Sequence, residues 1–447
     1  MASTSLLYLG FVSIVFILTW IFRNKGRKWV LLICNIVFLV SFGKPVHIIY
    51  ALLLIIYTFL ISRTIKKMKK NAFLIALLPY VLGLVFYKYF NFANWIIPVG
   101  LSFYTFKAIS YLADLRSRKL KTANLLDLIL YMSFFPVFTA GPINRAKPFL
   151  EQLNTPLVFD YAVQKNGAVQ AAFGLFEKIV FADALGQIIP VIYNDAALKG
   201  PYVLLAMILY SFQIYTDFDG YSNIAIGVSR MLGFDLPKNF NTPYLAANIK
   251  QFWDRWHISL STWLKDYIYI PLGGNRKGTA RRCINALIVF LVSGAWHGNT
   301  LVFILWGLGH GLLTVIEGFL PLQKESRGIR RLLGILLNFA LVTLLWVFFR
   351  SATLEEAFSI FARLFSWSGF SLETLHMTMR EGIWLGIVVG MIVSTDILRN
   401  RTDMVLWLSR QNFIVRWTVY ILAIAILLIF GAYGSGYNAA DFIYTTF

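Results

Sequence analysis

The sequence predicts an all-α, polytopic integral membrane protein, and three observations carry that prediction. Of 447 residues, 58% are hydrophobic and only 14% charged, with a mean hydropathy of +0.67. A soluble domain carries roughly 25% charged and 45–50% apolar residues. The apolar residues gather into long runs, and the shortage of charge extends along the whole chain, so no soluble domain is set apart within it. Basic clusters punctuate the runs in alternate loops, as cytoplasmic loops of membrane proteins do.

A spanning helix needs about 20 predominantly apolar residues. Leu6–Phe22 meets that length and ends at the basic cluster Arg23–Lys28. No basic region precedes Leu6 and Met1–Leu9 offers no cleavage site, so this run reads as a retained helix. Trp29–Phe42 is shorter and stops at Gly43-Lys44-Pro45. Val46–Ile61 ends at a second basic cluster, Arg63–Lys70; Ala72–Phe90 and Ile96–Leu112 follow, the latter ending at Arg116–Lys121. Leu125–Thr139 is apolar but leads into Ala140-Gly141-Pro142, which would break a helix. Gln164–Phe181 and Tyr202–Tyr215 are further candidates.

Between Asp217 and Lys265 the character changes, with ten ionisable residues, His257 among them, interleaved with aromatics. Polar residues at that density cannot face lipid, so a re-entrant or interfacial segment is expected. Ile284–Trp296 and Leu301–Leu320 form the next pair of runs, flanked by the basic loops Asn275–Arg282 and Lys324–Arg331. Leu332–Phe349, Ile383–Leu398 and Trp417–Tyr433 complete the set. Thr353–Phe365 is amphipathic, with Leu354, Ala357, Phe358 and Phe361 on one face. The alternation places the five basic clusters in the cytoplasm and both Met1 and Phe447 outside. No internal repeat is present, and residues 1–447 are read as one transmembrane domain.

The 41 Lys and Arg against 21 Asp and Glu give a formal charge of +20. In a soluble chain this would suggest nucleic acid, but basic clusters between apolar runs follow the positive-inside rule, and no nucleic-acid partner is expected. The two cysteines, Cys34 and Cys283, lie at apolar segments and read as core residues without a redox role.

Ionisable residues inside a membrane are functional candidates. Of five histidines, His47 and His376 have no polar company and read as interfacial. His297 sits in Ser293-Gly294-Ala295-Trp296-His297-Gly298-Asn299, where the glycines permit close approach of backbone or substrate. A neutral imidazole there suits proton abstraction from an alcohol, or is a buried histidine satisfied by a neighbouring carbonyl. His257 follows Trp253-Asp254-Arg255-Trp256; on a helix Asp254 would share its face, as an orienting carboxylate or a rim ion pair. His310, in Trp306-Gly307-Leu308-Gly309-His310-Gly311, lies on the next run. The histidine spacings support no metal site, and no nucleophile elbow, phosphate loop or dinucleotide fingerprint occurs.

The run Phe252-Trp253-Asp254-Arg255-Trp256-His257-Ile258-Ser259-Leu260-Ser261, continuing to Gly274, resembles the signature of the membrane-bound O-acyltransferase (MBOAT) family. Ser293–Gly298 with Trp306-Gly307 and His310-Gly311 resembles the segment holding that family's invariant histidine. Pro98–Phe106, Gly141-Pro142-Ile143, Trp346–Arg350 and Phe442-Ile443-Tyr444 resemble further landmarks of its bacterial polysaccharide branch, nearest the alginate O-acetyltransferase type.

The resemblance implies a ring of transmembrane helices, with re-entrant or interfacial helices, around a central tunnel that reaches His297. It implies a multi-pass enzyme of the bacterial cytoplasmic membrane that moves an acyl group, expected to be acetyl, from a cytoplasmic thioester to a hydroxyl of an envelope polysaccharide. Transfer is direct or through an extracytoplasmic partner protein. No tightly bound cofactor is expected; the donor is acetyl-CoA, or alternatively an acyl carrier protein thioester. His297 is the expected base and His257 its catalytic companion, with Trp253, Asp254, Arg255, Trp296, Asn299, Trp306 and His310 lining the substrate site. The emerging oxyanion would take a donor from the backbone near Gly298 or from Asn299. D-alanyl transfer to teichoic acid is the alternative, and a non-catalytic transporter or export scaffold stands as a third reading.

Overall fold

The computed structural model describes residues 2–23, 25–90, 97–320, 327–366 and 369–431. Among these, every regular element is helical. The Phe442–Tyr444 landmark, both expected outer termini, Asn24, Ile96, Tyr433 and the Lys324–Ser326 part of a basic loop lie outside the described residues. The chain divides into two compact units, Met1–Ala172 with Tyr221–Lys238, and Phe173–Gly220 with Asn239–Phe447.

The first unit holds α1 (Leu6–Ile21), α2 (Arg27–Val40), α3 (Pro45–Thr64), α4 (Lys70–Tyr89), α5 (Leu101–Arg116), α6 (Leu125–Ser133), α7 (Ala146–Asn154) and most of α8 (Tyr161–Phe176). Most apolar runs become helices within a few residues of their expected limits, but the Leu125–Thr139 run breaks before Ala140-Gly141-Pro142: α6 ends at Ser133, and Pro136 lies in a single 3-10 turn that follows. Basic residues do more here than mark a loop. Arg27 is buried and donates to the carbonyls of Gln152 and Leu232, both at 3.1 Å, while Lys28 pairs with Asp127 at 2.6 Å. His47 is buried, and its Nδ1 accepts the Val99 N–H at 3.3 Å. The ring thus has polar company that the sequence did not show: a backbone donor meets Nδ1 where the ring enters the core.

The second unit holds the end of α8, α9 (Asp183–Asn194), most of α10 (Pro201–Met231), α11 (Ile249–Trp253), α12 (Ile258–Leu264), α13 (Gly278–His297), α14 (Leu301–Glu317), α15 (Gly328–Arg350), α16 (Leu354–Leu364), α17 (Met379–Arg399), α18 (Met404–Ser409) and α19 (Phe413–Phe430). Five helical segments among the described residues have the length and apolarity to cross a membrane: Pro45–Lys67, Lys70–Tyr89, Gly328–Arg350, Met379–Arg399 and Phe413–Phe430. Other apolar runs form shorter helices, such as Leu6–Ile21 and Leu301–Glu317. No residue of α19 is buried, and an apolar helix exposed all round belongs in lipid.

Asp217 does not end a helix as its polarity suggested. α10 continues for 31 residues to Met231, with Asp217 and Asp219 buried in it. The reason is pairing. A π-helical turn, Glu177–Ala182, turns Glu177 and Lys178 inward, and Lys178 meets Asp217 at 2.9 Å and Asp183 at 2.5 Å. Arg399, at the end of α17, bonds Asp219 at 2.6 Å and Glu177 at 3.1 Å. Tyr215 donates to Asp396 at 2.7 Å beside them. Removing one partner of a buried pair strands the other charge, at a cost of about 3–5 kcal/mol. Arg399→Met is therefore expected to lower the thermal midpoint of the detergent-solubilised protein by several degrees or abolish its accumulation. An unchanged midpoint would contradict this role.

The amphipathic segment forms α16, capped by Thr353, whose side chain accepts the Glu356 N–H. Its buried face carries Ala357, Ile360 and Arg363, whereas Phe358 points outward. Arg363 is drawn inward because its guanidinium donates to the carbonyls of Ile192, Tyr193, Asp195 and Leu198 at the end of α9.

Candidate active site

All nine residues singled out from the sequence lie in the second unit, on α11 to α14 and their connections. α13 and α14 form a tight helical hairpin. Gly294 and Gly307 make the close approach possible: a Cβ on Gly294 would stand 2.3 Å from the Phe303 carbonyl oxygen, and one on Gly307 2.3 Å from that of Phe290. These are backbone contacts that no rotamer change relieves. Gly298 faces the Phe303 ring just as closely, at 2.2 Å from a built Cβ.

His297 is the last residue of α13 and is buried. Three rings surround it edge-on: Trp296 at 4.5 Å, Trp306 at 4.9 Å and Phe349 at 5.1 Å between centroids. Phe349 comes from α15 and has no signal in the histidine motif. One turn along α14 from Trp306, His310 is fully buried. It stacks on Phe252 and Phe290 and meets Trp253 and Trp306 edge-on at 5.0 and 5.1 Å. Neither ring nitrogen of His310 has a hydrogen-bond partner among the described residues, and the same holds for the indole N–H groups of Trp253 and Trp306. Trp306 thus stands between the two histidines.

The His257 block is fastened to this hairpin. Glu317, at the end of α14, accepts the Ile249 N–H at 2.6 Å and the Lys250 N–H at 3.4 Å. A carboxylate at a helix N-terminus satisfies unpaired donors and suits the local positive potential. Phe252 and Trp256 then stack at 5.5 Å, and Trp256 packs on Trp346 at 4.9 Å. Trp346 in turn donates to the Tyr244 hydroxyl at 3.1 Å.

His257 does not share a helix face with Asp254. α11 ends at Trp253, and His257 adopts the left-handed conformation, φ 41°, before α12 begins. Asp254 is exposed and pairs with Lys250 at 2.9 Å, one turn back on α11. Arg255 donates through Nη1 to Thr242 Oγ1 and Asn400 Oδ1, both at 3.1 Å, which ties this block to the end of α17. The residue that orients His257 is Asn239, 18 positions earlier, whose Oδ1 lies 3.0 Å from the imidazole Nδ1. His257 also packs edge-on against Phe218 at 4.7 Å and lies 6.4 Å from the Trp296 ring. His257 and His297 therefore flank one indole.

Two proposed oxyanion donors fare differently. The Gly298 N–H already bonds the Gly294 carbonyl at 3.3 Å, and Asn299 is exposed in the connection to α14.

The sequence profile of the membrane-bound O-acyltransferase family matches residues 35–355, well over half of the chain and the whole of this site. The chain belongs to that family. As an MBOAT protein it is a multi-pass membrane protein, in keeping with its apolar helices. It is 37% identical over 306 residues to a probable alginate O-acetylase of Pseudomonas aeruginosa, covering 67% of this chain and 58% of the relative. It is 34% identical over 329 residues to a peptidoglycan O-acetyltransferase of Helicobacter pylori, covering 67% and 62%. A teichoic acid D-alanyltransferase of Bacillus subtilis is 32% identical over 242 residues, covering 51% and 60%. The chain thus spans about three fifths of the length of the curated relatives it matches. The MBOAT site gathers three buried histidines, His257, His297 and His310, with Trp253, Trp296, Trp306 and Phe349. Among these groups only an imidazole nitrogen has a basic lone pair that can accept a proton from a hydroxyl, so proton transfer is the chemistry this arrangement offers.

Proposed function

We propose that this MBOAT protein is an O-acyltransferase that moves an acetyl group from a cytoplasmic thioester, acetyl-CoA, to a hydroxyl of an envelope polysaccharide, with His297 as general base. The carrying observation is the placement of His297, buried at the end of α13 against three aromatic rings. An alcohol is a poor nucleophile until its proton is removed, and a positioned base contributes typically 10²–10⁴-fold. His297 takes the proton of the acceptor hydroxyl as its oxygen attacks the thioester carbonyl. The C–S bond then breaks, and the thiolate leaves with the proton from the imidazolium. The oxyanion formed in between needs a donor in a dry site. The buried indole N–H of Trp306, on a ring that packs against His297, is available for it.

The names of the relatives support acetyl transfer: the alginate and peptidoglycan O-acetylating proteins match more of this chain than the D-alanyltransferases do. Thioester and acceptor meet at His297 through a polar tunnel, because a charged or hydroxylated substrate crosses hydrocarbon only at high cost. The membrane is the bacterial cytoplasmic membrane, and the acceptor receives the acetyl group directly or from an extracytoplasmic partner protein. The test is chemical. Base-labile groups on surface glycan from wild-type cells and cells lacking this chain are identified by mass spectrometry. Loss of O-acetyl in the deletion supports the proposal; loss of D-alanyl ester supports the alternative; an unchanged glycan opposes both.

A further inference from the structure

Asn239 determines more than the position of His257. Its side-chain oxygen accepts the Ser259 backbone N–H at 3.3 Å and the Ser259 hydroxyl at 2.8 Å. A backbone N–H can only donate, so the atom facing it must be the amide oxygen and not the nitrogen, which settles an assignment that is otherwise ambiguous. That same oxygen is 3.0 Å from His257 Nδ1. An amide oxygen has no proton to give, so the hydrogen between them sits on Nδ1. The Ile258 N–H also donates to the Asn239 carbonyl, at 2.8 Å, which pins the two segments together and leaves the ring little freedom to turn. His257 lies outside every candidate span, and its burial disfavours the imidazolium, so the ring has one N–H. Its other nitrogen, Nε2, then carries a lone pair.

We infer that Asn239 is a positioning residue that locks His257 as the Nδ1–H tautomer, so that Nε2 can only accept a hydrogen bond and any substrate group that meets it is an N–H or O–H donor. Two substrates of the proposed reaction carry such a group: the amides of a pantetheine thioester arm, and the hydroxyl of the acceptor. A carbonyl or an oxyanion is excluded as its partner while the ring is neutral, which assigns oxyanion binding elsewhere.

The tautomer is readable without any activity. With five histidines in the chain, ¹⁵N-histidine labelling of the full-length protein in bilayers yields few resonances, and the His257→Gln variant assigns the one that matters. Solid-state NMR is expected to show Nδ1 protonated and Nε2 unprotonated in wild type, and to lose that preference in Asn239→Leu. A protonated Nε2 in the wild-type protein overturns the inference. The role in transfer rests on the proposed acyl transfer, and is read by kinetics at matched membrane levels. Asn239→Asp keeps an acceptor oxygen and should retain at least about a tenth of wild-type transfer. Asn239→Leu should lose about tenfold or more, the worth of one buried hydrogen bond. A raised KM for the thioester identifies its amide as the partner of Nε2, and a raised KM for the acceptor identifies the hydroxyl. Unchanged kinetics in Asn239→Leu overturns the role. Wild-type protein that transfers nothing, yet shows the Nδ1–H tautomer, would count against the acyltransferase proposal and not against the tautomer.

Discussion

His297→Ala is expected to reduce acyl transfer by at least about 10²-fold while the protein still accumulates in the membrane. The ring is buried among Trp296, Trp306 and Phe349, so the truncation leaves a small cavity, but Trp306 and Phe349 also pack on each other and on Trp346. Only a group within roughly 2.6–3.2 Å of the reacting proton can serve as base, and that is the place the proposal gives His297. The remaining histidines should rank below it. His257→Ala is expected to cost less, though residues that act together give losses that do not add. His310→Ala should fall between the two outcomes of packing and support, because its ring is stacked on Phe252 and Phe290 and touches Trp306. His376→Ala should leave transfer near wild type, since that residue is exposed in a turn. His47→Ala should do the same per folded molecule, with some loss of yield from the vacated Val99 N–H. Ester content of the glycan, normalised to membrane protein, gives the ranking; a His297→Ala variant as active as wild type would remove the base assignment.

Gly307→Ala is expected to be nearly as damaging although no chemistry passes through it. The new methyl would stand 2.3 Å from the Phe290 carbonyl oxygen and 3.2 Å from Gly294 Cα, where ordinary contact needs more than an ångström of extra room. Backbone cannot step aside as a side chain can, so α13 and α14 must separate. His297 ends α13 one turn beyond Gly294, and Trp306 precedes Gly307, so the separation moves base and ring apart. Overpacking of this kind costs about 1–3 kcal/mol, and a displacement of about 1 Å at a reacting group can cost roughly 10²-fold in rate. Gly390→Ala on α17 is the control, since nothing lies within 4 Å of its added methyl. It should behave as wild type in both membrane level and transfer. A Gly307→Ala protein with wild-type transfer would show that the hairpin can open without disturbing His297.

The helices were legible because apolar runs bounded by basic clusters leave a membrane chain few choices, and boundaries such as Leu301 at the start of α14 follow directly. The histidine hairpin was legible for a local reason: Gly294, Trp296, His297, Trp306 and Gly307 lie within 14 residues of one another, and the glycines announce close packing. What stayed hidden depends on contacts between distant segments. Asn239 has no periodic relation to His257 and reaches it only because the 239–241 segment pairs with residues 255–258. Trp346 and Phe349 stand in a segment that resembles a family landmark, but their packing on Trp256, Trp306 and His297 is set by a helix distant in sequence and was not legible. Asp254 misled because the i, i+3 rule assumes a continuous helix, whereas the left-handed residue at His257 breaks it. Asp217 misled because charge in an apolar helix is costly only until Lys178 is counted, and that lysine sits 39 positions away.

Acyl transfer by a His297-dependent catalyst is tested most directly in inverted membrane vesicles that carry the full chain and its envelope glycan acceptor. The vesicles are supplied with acetyl-CoA labelled in its acetyl group. Label should enter glycan as a base-labile ester with the wild-type chain, and fall by at least about 10²-fold with His297→Ala at equal membrane levels. Equal incorporation by wild type and His297→Ala would contradict the account.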